Sequence, residues 1–327
     1  MRSTEHQKVH TTLQPKQIQF IEQSKSRHLS DLSARLLQSL NIADRLTLAY
    51  LLFTSVLTIV CRNQITQATN LLLIHGGLIC LIVMLACRRA RGPQTLSVLS
   101  HWYPLLLSGF FFEEIGRLVH ALFPGWFDHI LIAADRALFG ADPTVWAEQF
   151  SSYWLTEYLQ LAYTAYLALI PAFGAYLWLR GRREQFAVFV ASICVAYYLN
   201  YLIFIFFPIE GPYHTLAHLQ RVELVGGPFT AFINLIEKHG RVHGGAFPSN
   251  HVAGSMVVLF SAFHFSRRLG YALTPLVLSI CAATIYGRYH YAVDVMAGTV
   301  MAGGGCLLIH EWEKRRRRDR ETGGVIQ

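Results

Sequence analysis

The sequence predicts an all-α integral membrane protein with about eight transmembrane helices, and three observations support that prediction. Hydrophobic residues make up 53% of the 327 residues and charged residues only 15%, whereas soluble domains carry about a quarter charged residues. Eight apolar segments recur along the chain, each near the ~20 residues that a bilayer crossing requires. The basic residues fall between these segments, as in a membrane topology signal, so the net charge of +8 does not indicate nucleic-acid binding.

Residues 1–43 are predicted to form a polar cytoplasmic segment. Leucines recur at helical spacing between Leu29 and Leu40, which predicts a short amphipathic helix on the bilayer surface. A loosely ordered tail without a role in chemistry is the alternative. We expect no cleavable signal peptide, because this stretch contains no apolar h-region.

The apolar segments divide the rest of the chain into three predicted regions. Residues 44–95 hold two additional transmembrane helices, residues 96–310 form a six-helix core, and residues 311–327 form a basic cytoplasmic tail. The eight segments run approximately over Leu46–Cys61, Ala68–Cys87, Leu96–Phe123, Leu155–Leu179, Phe186–Phe207, His251–Phe265, Tyr271–Tyr286 and Ala292–His310. The sixth and seventh segments are short, so the sequence defines their ends least sharply.

Charged residues near the outer end of segment three have two interpretations. Glu113 and Arg117 are four residues apart, which is the spacing of an intrahelical ion pair. The alternative is that Glu114 or Arg117 lines a cavity in the bundle.

Basic clusters predict the orientation of the chain in the membrane. They follow the even-numbered segments, as Arg88–Arg91, Arg180–Arg183, Arg267–Arg268 and Lys314–Arg318. The positive-inside rule therefore places both termini in the cytoplasm. The loops after segments three, five and seven then face the periplasm, the cell exterior or an organelle lumen, and two histidine-containing motifs lie in those loops.

The second of these motifs contains His290 and Asp294. Ionisable residues at membrane depth are costly to place and are functional candidates by default. Residues four apart at the start of a helix share one face. A carboxylate bonded to one imidazole nitrogen fixes the tautomer and raises the basicity of the other nitrogen, which prepares a general base or a nucleophile. A structural cap with a surface His–Asp contact is the alternative for this motif taken alone.

The first motif, Pro248-Ser249-Asn250-His251, predicts the start of a helix. Free N–H groups at a helix N-terminus bind anions such as phosphate, and Ser249 and Asn250 add side-chain donors. His251 is placed to protonate a leaving alkoxide as a general acid. An ordinary capped helix start is the alternative, but the combination with His290 and Asp294 on one membrane face favours phosphoryl chemistry.

These motifs resemble the signature blocks of the type 2 phosphatidic acid phosphatase superfamily. Phe247–His251 is similar to the second block, and His290–Asp294, about forty residues later, is similar to the third. Phe207–Tyr213 lies where the branch of inositol phosphorylceramide synthases and their bacterial relatives carries its first block. Leu138–Thr144 also resembles a segment of bacterial members. The likeness extends approximately from Leu96 to His310, which is the predicted six-helix catalytic core.

The resemblance implies a two-step phosphoryl transfer that uses neither a metal nor a cofactor. His290 would attack the phosphorus and form a phosphohistidine, Asp294 would orient His290, and His251 would protonate the leaving group. Water, or an alcohol on a second molecule, would then accept the phosphoryl group. The expected substrate is a membrane lipid phosphate or phospholipid, and a second lipid or a polyol is the candidate acceptor.

The chain departs from the phosphatases of this superfamily in three places. Their first block contains an arginine that Gly211–His214 lacks, Ala283-Thr284 replaces their Ser-Arg, and Asn250 replaces a glycine. Phosphate still requires cationic or N–H partners. The predicted phosphate-binding residues are Ser249, Asn250, Arg288, His214 and Tyr213, with Arg221 and Arg241 as weaker candidates. The missing arginines favour transfer chemistry, or a divergent substrate, over simple phosphomonoester hydrolysis.

Three rival interpretations stay open at the level of the sequence. The first is a plain polyprenyl-diphosphate or phosphatidic acid phosphatase that uses the same residues. The second is a metal site built from His214, His251, His290 and Asp294. The third is a lipid transporter or flippase in which the ionisable groups form a proton relay.

Overall fold

The computed structural model describes residues 39–89, 94–240 and 242–323. Within these ranges every regular element is a helix, apart from one isolated bridge between Ile209 and Gly245. The proposed amphipathic helix from Leu29, together with Arg91 and Arg241, lies outside the described residues. The predicted all-α fold class is confirmed.

Eight long helices correspond to the eight predicted apolar segments. The helices are α1 (Ile42–Val60), α2 (Ala68–Arg88), α3 (Gln94–Leu118), α4 (Asp128–Phe139), α5 (Pro143–Trp146), α6 (Tyr153–Leu179), α7 (Arg183–Phe206), α8 (Pro212–Thr215), α9 (Pro228–Gly240), α10 (Asn250–Phe265), α11 (Arg267–Tyr286) and α12 (Ala292–Gly323). A 3₁₀ helix, Ala147–Phe150, follows α5. The four short helices α4, α5, α8 and α9 fall in the loops that the sequence left without assigned structure.

Six of the long helices are long and apolar enough to cross a membrane, namely α1, α2, α6, α7, α11 and α12. Among the eight, α10 has only 16 residues, and α3 mixes its apolar residues with Pro104, Glu113 and Arg117. Six spans of this kind make the chain a multi-pass membrane protein. Which side of the membrane holds the termini stays a prediction.

Helices α7 and α10 lie at the centre of the bundle. In α7, 78% of the most apolar stretch is buried, and the helix packs against α3, α10, α12 and α1. Helix α10 packs against α11, α12, α7 and α6. A Cβ atom on Gly298 of α12 would lie 2.6 Å from the backbone oxygen of Ser249. Glycine is therefore required where α12 crosses the start of α10.

Buried polar pairs attach the two additional helices to the core. The guanidinium of Arg89 lies 2.8 Å from the carboxylate of Asp44, and the hydroxyl of Tyr103 donates to the same carboxylate. His75 of α2 lies 3.1 Å from Glu114 of α3. The intrahelical ion pair expected between Glu113 and Arg117 is not formed, and both side chains are exposed.

The short helices gather at one end of the bundle. Helix α4 contacts α12, α9 contacts α6, and α5 with the following 3₁₀ helix contacts α11. At this end α6, α10 and α12 begin, while α7 and α11 finish. Both predicted histidine motifs therefore lie at the same end of the bundle.

Candidate active site

His290 lies two residues before α12, and its imidazole has two acceptors on one side. Its Nδ1 atom is 2.8 Å from the backbone oxygen of Ala246 and 3.3 Å from Oδ2 of Asp294. Because a carbonyl oxygen can only accept, Nδ1 must carry the hydrogen. In the neutral ring Nε2 then holds the free lone pair, which is the form that a nucleophile requires. The sequence predicted the contact with Asp294 but not the one with Ala246.

Asp294 connects the two histidine motifs. Its carboxylate accepts the backbone N–H of Tyr291 at 2.9 Å, which fixes the turn that carries His290. Its backbone oxygen accepts the N–H of Ser249 at 3.2 Å, one residue before α10 begins. The side chain of Asp294 is fully buried. Asp294 therefore ties the two imidazole-bearing segments to each other.

His251 lies in the first turn of α10 and faces His290. The centroids of the two imidazole rings are 5.7 Å apart. His251 stacks on Tyr163 at 4.6 Å and contacts the ring of Tyr166 at the same distance. Tyr163 stacks in turn on Tyr289, at 4.3 Å. Reacting atoms approach to about 3–3.5 Å before a chemical step, so one phosphoryl group is small enough to contact both imidazoles.

Ser249 and Asn250, both predicted to bind phosphate, make structural contacts at the start of α10. The Ser249 hydroxyl caps the helix by accepting the N–H of Val252 at 3.3 Å. The side-chain oxygen of Asn250 accepts from Asn200 of α7 at 2.8 Å. The backbone N–H groups of Asn250 and His251 have no acceptor earlier in the helix and are suited to an anion. Phosphate binding by the two side chains stays a prediction.

Arg288, the predicted principal phosphate-binding cation, lies in an ion pair. Its guanidinium is 2.7 Å from the carboxylate of Glu148 and also contacts the backbone oxygen of Val222. The backbone N–H of Arg221 donates to the same Glu148 carboxylate at 3.1 Å. Glu148 therefore holds the loop before α9 next to the loop between α11 and α12, and Arg288 is not a free cation. No signal in the sequence could have paired residues 140 positions apart.

A cavity of about 630 Å³ opens at the same end of the bundle. It is lined by Gln160, Tyr213, His214, Glu223, Leu224, Thr230, Asn234, Glu237, Lys238, His243, Gly287, Arg288 and Tyr289. Three predicted phosphate-binding residues, Tyr213, His214 and Arg288, thus share one cavity. Tyr289 lies both in this lining and in the aromatic stack that ends at His251. The two imidazoles are not part of this lining, and the ring of Tyr163 lies between Tyr289 and His251.

Asp128 of α4 is a buried carboxylate that the sequence interpretation missed. It accepts the backbone N–H groups of Glu210 and Gly211 at 2.9 and 2.8 Å, and the hydroxyl of Tyr291 at 2.8 Å. Burial raises the pKa of the Tyr291 hydroxyl. Asp128 thereby fastens the segment of the first block to the turn that carries His290.

Asp135, two turns further along α4, performs a similar task. Its carboxylate accepts the N–H groups of Ala292 and Val293 at 3.0 and 2.9 Å, at the start of α12. Burial raises the pKa of Asp135, although these two hydrogen bonds oppose the shift. Asp128 and Asp135 are seven residues apart and therefore lie on one helix face. That spacing can be read from the sequence. Their distant partners leave no such signal.

The metal site suggested as a rival is wrong in its ligands. Among the described residues, His214 does not join His251, His290 and Asp294 in a group close enough to share an ion. The His/Cys/Asp/Glu group that does meet this condition within the described ranges consists of Glu210, His214 and His243.

The fold and the site define a helical multi-pass membrane protein with two facing histidines, one of them oriented by a carboxylate. The family model described as PAP2 superfamily matches residues 129–308, a range that contains both histidines and Asp294. The match covers more than half of the chain, and the chain belongs to the PAP2 superfamily. Membership supports a phosphatase- or phosphotransferase-type activity.

A curated relative carries a similar name. The chain is 29% identical over 118 residues to a PA-phosphatase related-family protein of Dictyostelium discoideum. The alignment covers 35% of this chain and 21% of that protein, so the chain spans about a fifth of the length of this relative. No solved structure matches the chain.

Proposed function

We propose that the protein transfers a phosphoryl group from a lipid phosphate or phospholipid through a phosphohistidine at His290. The observation that carries this proposal is the hydrogen-bonded state of the imidazole. Two acceptors hold Nδ1 in its protonated form, and the ring of His251 lies 5.7 Å away. The candidate nucleophile, its orienting carboxylate and the candidate proton donor thus lie close enough to act on one phosphoryl group.

In the proposed first step, Nε2 of His290 attacks phosphorus. A P–N bond forms, the P–O bond to the leaving group breaks, and His251 gives its proton to the departing oxygen. Phosphorylation leaves His290 with a positive charge, which Asp294 stabilises through Nδ1. The N–H groups at the start of α10 bind the phosphoryl oxygens.

In the second step, an O–H group attacks the phosphohistidine. His251 takes the proton of the attacking oxygen, the P–N bond breaks, and neutral His290 is restored. With water as acceptor the product is a phosphate monoester or free phosphate, and with an alcohol it is a new phosphodiester or monoester. The same residues serve both outcomes, so acceptor access decides between hydrolysis and transfer.

An amphiphilic substrate fits the surroundings of the cavity. Helix α9 forms one wall with Asn234 and Lys238, while its exposed residues include Phe229, Phe232 and Leu235. A charged headgroup can enter such a cavity while its chains stay in the bilayer. We propose that the second substrate is a lipid alcohol or polyol, as in the inositol phosphorylceramide synthase branch.

The proposed orientation puts this end of the bundle on the outer face of the membrane. Arg267 and Arg268 begin α11 at the opposite end of α10 from His251. The last turns of α12, far from His290, carry Arg315 to Arg318. The positive-inside rule supports cytoplasmic termini and a periplasmic, extracellular or lumenal site.

The test is a phosphate-release assay on the detergent-solubilised protein with phosphatidic acid, polyprenyl diphosphate and phosphatidylinositol. Each substrate is assayed with and without ceramide or diacylglycerol as acceptor, and lipid products are identified by mass spectrometry. We expect turnover with at least one substrate, and an acceptor-dependent product supports transfer. Lipid transport across vesicles without any phosphoryl product would contradict the proposal.

A further inference from the structure

A second group of ionisable side chains lies at the mouth of the cavity, apart from the facing imidazoles. Glu210, His214 and His243 each offer one ligand atom, and these atoms lie within 4.8 Å of one another. Nδ1 of His243 is 3.9 Å from Oε1 of Glu210. The rings of His214 and His243 are 5.2 Å apart. The mechanism proposed for His290 uses none of these three side chains as a reacting group.

Backbone contacts bring the three residues together. Ile209 pairs with Gly245 in the isolated bridge, which brings the chain before α8 next to the chain before α10. Asp128 fixes Glu210 from the other side through its N–H. His214 follows four residues later in the single turn of α8. The position of the group therefore follows from the backbone fold.

We propose that Glu210, His214 and His243 bind one Zn²⁺ ion. Two imidazoles and one carboxylate form a donor set that zinc commonly uses when it keeps a further position open. Tetrahedral zinc holds its ligand atoms roughly 3.4 Å apart, so the side chains must close inward by about 1 Å. His243 is 54% exposed and Glu210 25% exposed, which leaves both side chains free to rotate.

The open position of this ion faces the cavity. His214 and His243 line the cavity together with Lys238 and Arg288. Arg288 is neutralised by Glu148, so a bound Zn²⁺ supplies the strongest positive charge on this wall. The ligand that fits is an anionic oxygen such as that of a phosphate headgroup, an assignment that rests on the proposed function. The zinc site itself does not depend on that function.

Zinc binding is measured by isothermal titration on full-length protein in detergent. The protein is purified through a tag without histidine and is stripped with a chelator before titration with zinc chloride. We expect one ion per chain with a Kd in the micromolar range or below, and at least tenfold weaker binding for His243→Ala and for Glu210→Gln. His218→Ala is the matched control, because His218 is an exposed histidine in the same loop outside the group.

Two results would overturn the site. The first is that wild-type protein binds no zinc when zinc, on the order of 1 mM, is present at 100 times the protein concentration. The other is equal weakening in His218→Ala and His243→Ala, which would indicate scattered surface binding. Thermal unfolding of the stripped variants separates loss of the ligand from loss of the fold.

Cobalt replaces zinc to test the open position. Co²⁺ in the wild-type site is expected to absorb in the visible range, and inorganic phosphate is expected to change that spectrum. An unchanged spectrum in millimolar phosphate would contradict the open position. Failure of metal binding would leave the His290 assignment standing, whereas His290→Ala should lose turnover and bind zinc normally, so the two proposals fail separately.

Discussion

Asp44 and Asp294 are both fully buried carboxylates in membrane helices, yet their surroundings differ. Both oxygens of Asp44 accept from Arg89, one accepts also from Tyr103, and the other from the backbone of Asn41. Asp294 accepts with Oδ2 alone, and its Oδ1 has no hydrogen-bond partner among the described residues. Burial of an acid in the membrane therefore does not by itself indicate catalysis.

The difference lies in the partner as well as in the number of bonds. Asp44 faces a permanent cation, so its charge is balanced in the resting state. Asp294 faces His290, which becomes cationic when it is phosphorylated in the proposed mechanism. Under that mechanism the charge of Asp294 is best compensated during the reaction, as differential binding of a transition state requires.

Replacement of His290 should give the largest effect on turnover. We expect His290→Ala to lower kcat by at least about 10⁴-fold, because a covalent nucleophile has no substitute. The midpoint of thermal unfolding should change little, since only the hydrogen bonds to Ala246 and Asp294 are lost. Lipid-phosphate turnover and a melting curve check the two halves. Activity within tenfold of wild type would place the nucleophile elsewhere.

His251→Ala should depend on the leaving group. With a lipid alkoxide as leaving group we expect about 10²–10⁴-fold slower turnover, the usual contribution of a general acid. An aryl phosphate needs no protonation of its leaving group, so its cleavage should recover most of the loss. His290→Ala should show no such recovery. Equal losses with both substrates would contradict the assignment of His251 as proton donor.

The two aspartates should separate activity from stability. Asp294→Asn keeps the Nδ1 bond to Ala246 and with it the tautomer of His290. We therefore expect about a 10²-fold loss of kcat, which is smaller than the loss in enzymes where removal of the carboxylate also changes the histidine tautomer. Asp44→Asn removes the anion that faces the partly buried Arg89 and should destabilise the fold by about 1–3 kcal/mol. Turnover per folded molecule should be unchanged in Asp44→Asn. Kinetics and thermal unfolding on the same preparations measure both quantities.

Gly298 tests whether the crossing of α10 and α12 sets the distance between the imidazoles. A Cβ atom there would lie 2.6 Å from the Ser249 oxygen, so Gly298→Ala must push the two helix starts apart. We expect about 10- to 100-fold lower kcat, since misplacement by 1 Å costs about that much. Gly304→Ala on the same helix is the control, because nothing lies within 4 Å of its Cβ position. Equal activity of the two variants would contradict this role.

Replacement of Asp135 should give the smallest effect, which is a change in how the melting temperature depends on pH. Burial raises the pKa of Asp135 in the folded protein, so folding favours the protonated form. Its contribution is therefore favourable below the ordinary carboxyl pKa of about 3.9 and is lost as pH rises towards the raised value. Asp135→Asn should lack this loss. Above pH 4 the melting temperature of the wild type should therefore fall relative to that of Asp135→Asn. Parallel curves would contradict the prediction.

The sequence predicted what local pattern determines. Apolar length located the eight long helices, and the motifs around His251 and His290 predicted two facing imidazoles at one end of the bundle. Helix α9 was foreseen only as an apolar patch in a loop, because its 13 residues are too few to span a membrane.

The remaining contacts depend on packing between distant segments. The Ala246 carbonyl that fixes the His290 tautomer is a backbone atom, and any residue at that position would present it. Arg288 was predicted to bind phosphate, and its ion pair with Glu148 was missed because Glu148 belongs to another loop. Glu113 and Arg117 had the spacing of a pair, but spacing alone does not force exposed side chains to meet.

The central claim is a covalent bond between phosphorus and His290, and chemical trapping tests it most directly. Protein incubated with ³²P-labelled lipid phosphate is quenched in alkaline detergent, and the labelled peptide is identified by mass spectrometry. The expected result is an alkali-stable, acid-labile label on His290 that is absent from His290→Ala. Turnover without any label on His290, or a label that persists in His290→Ala, would contradict the proposed mechanism.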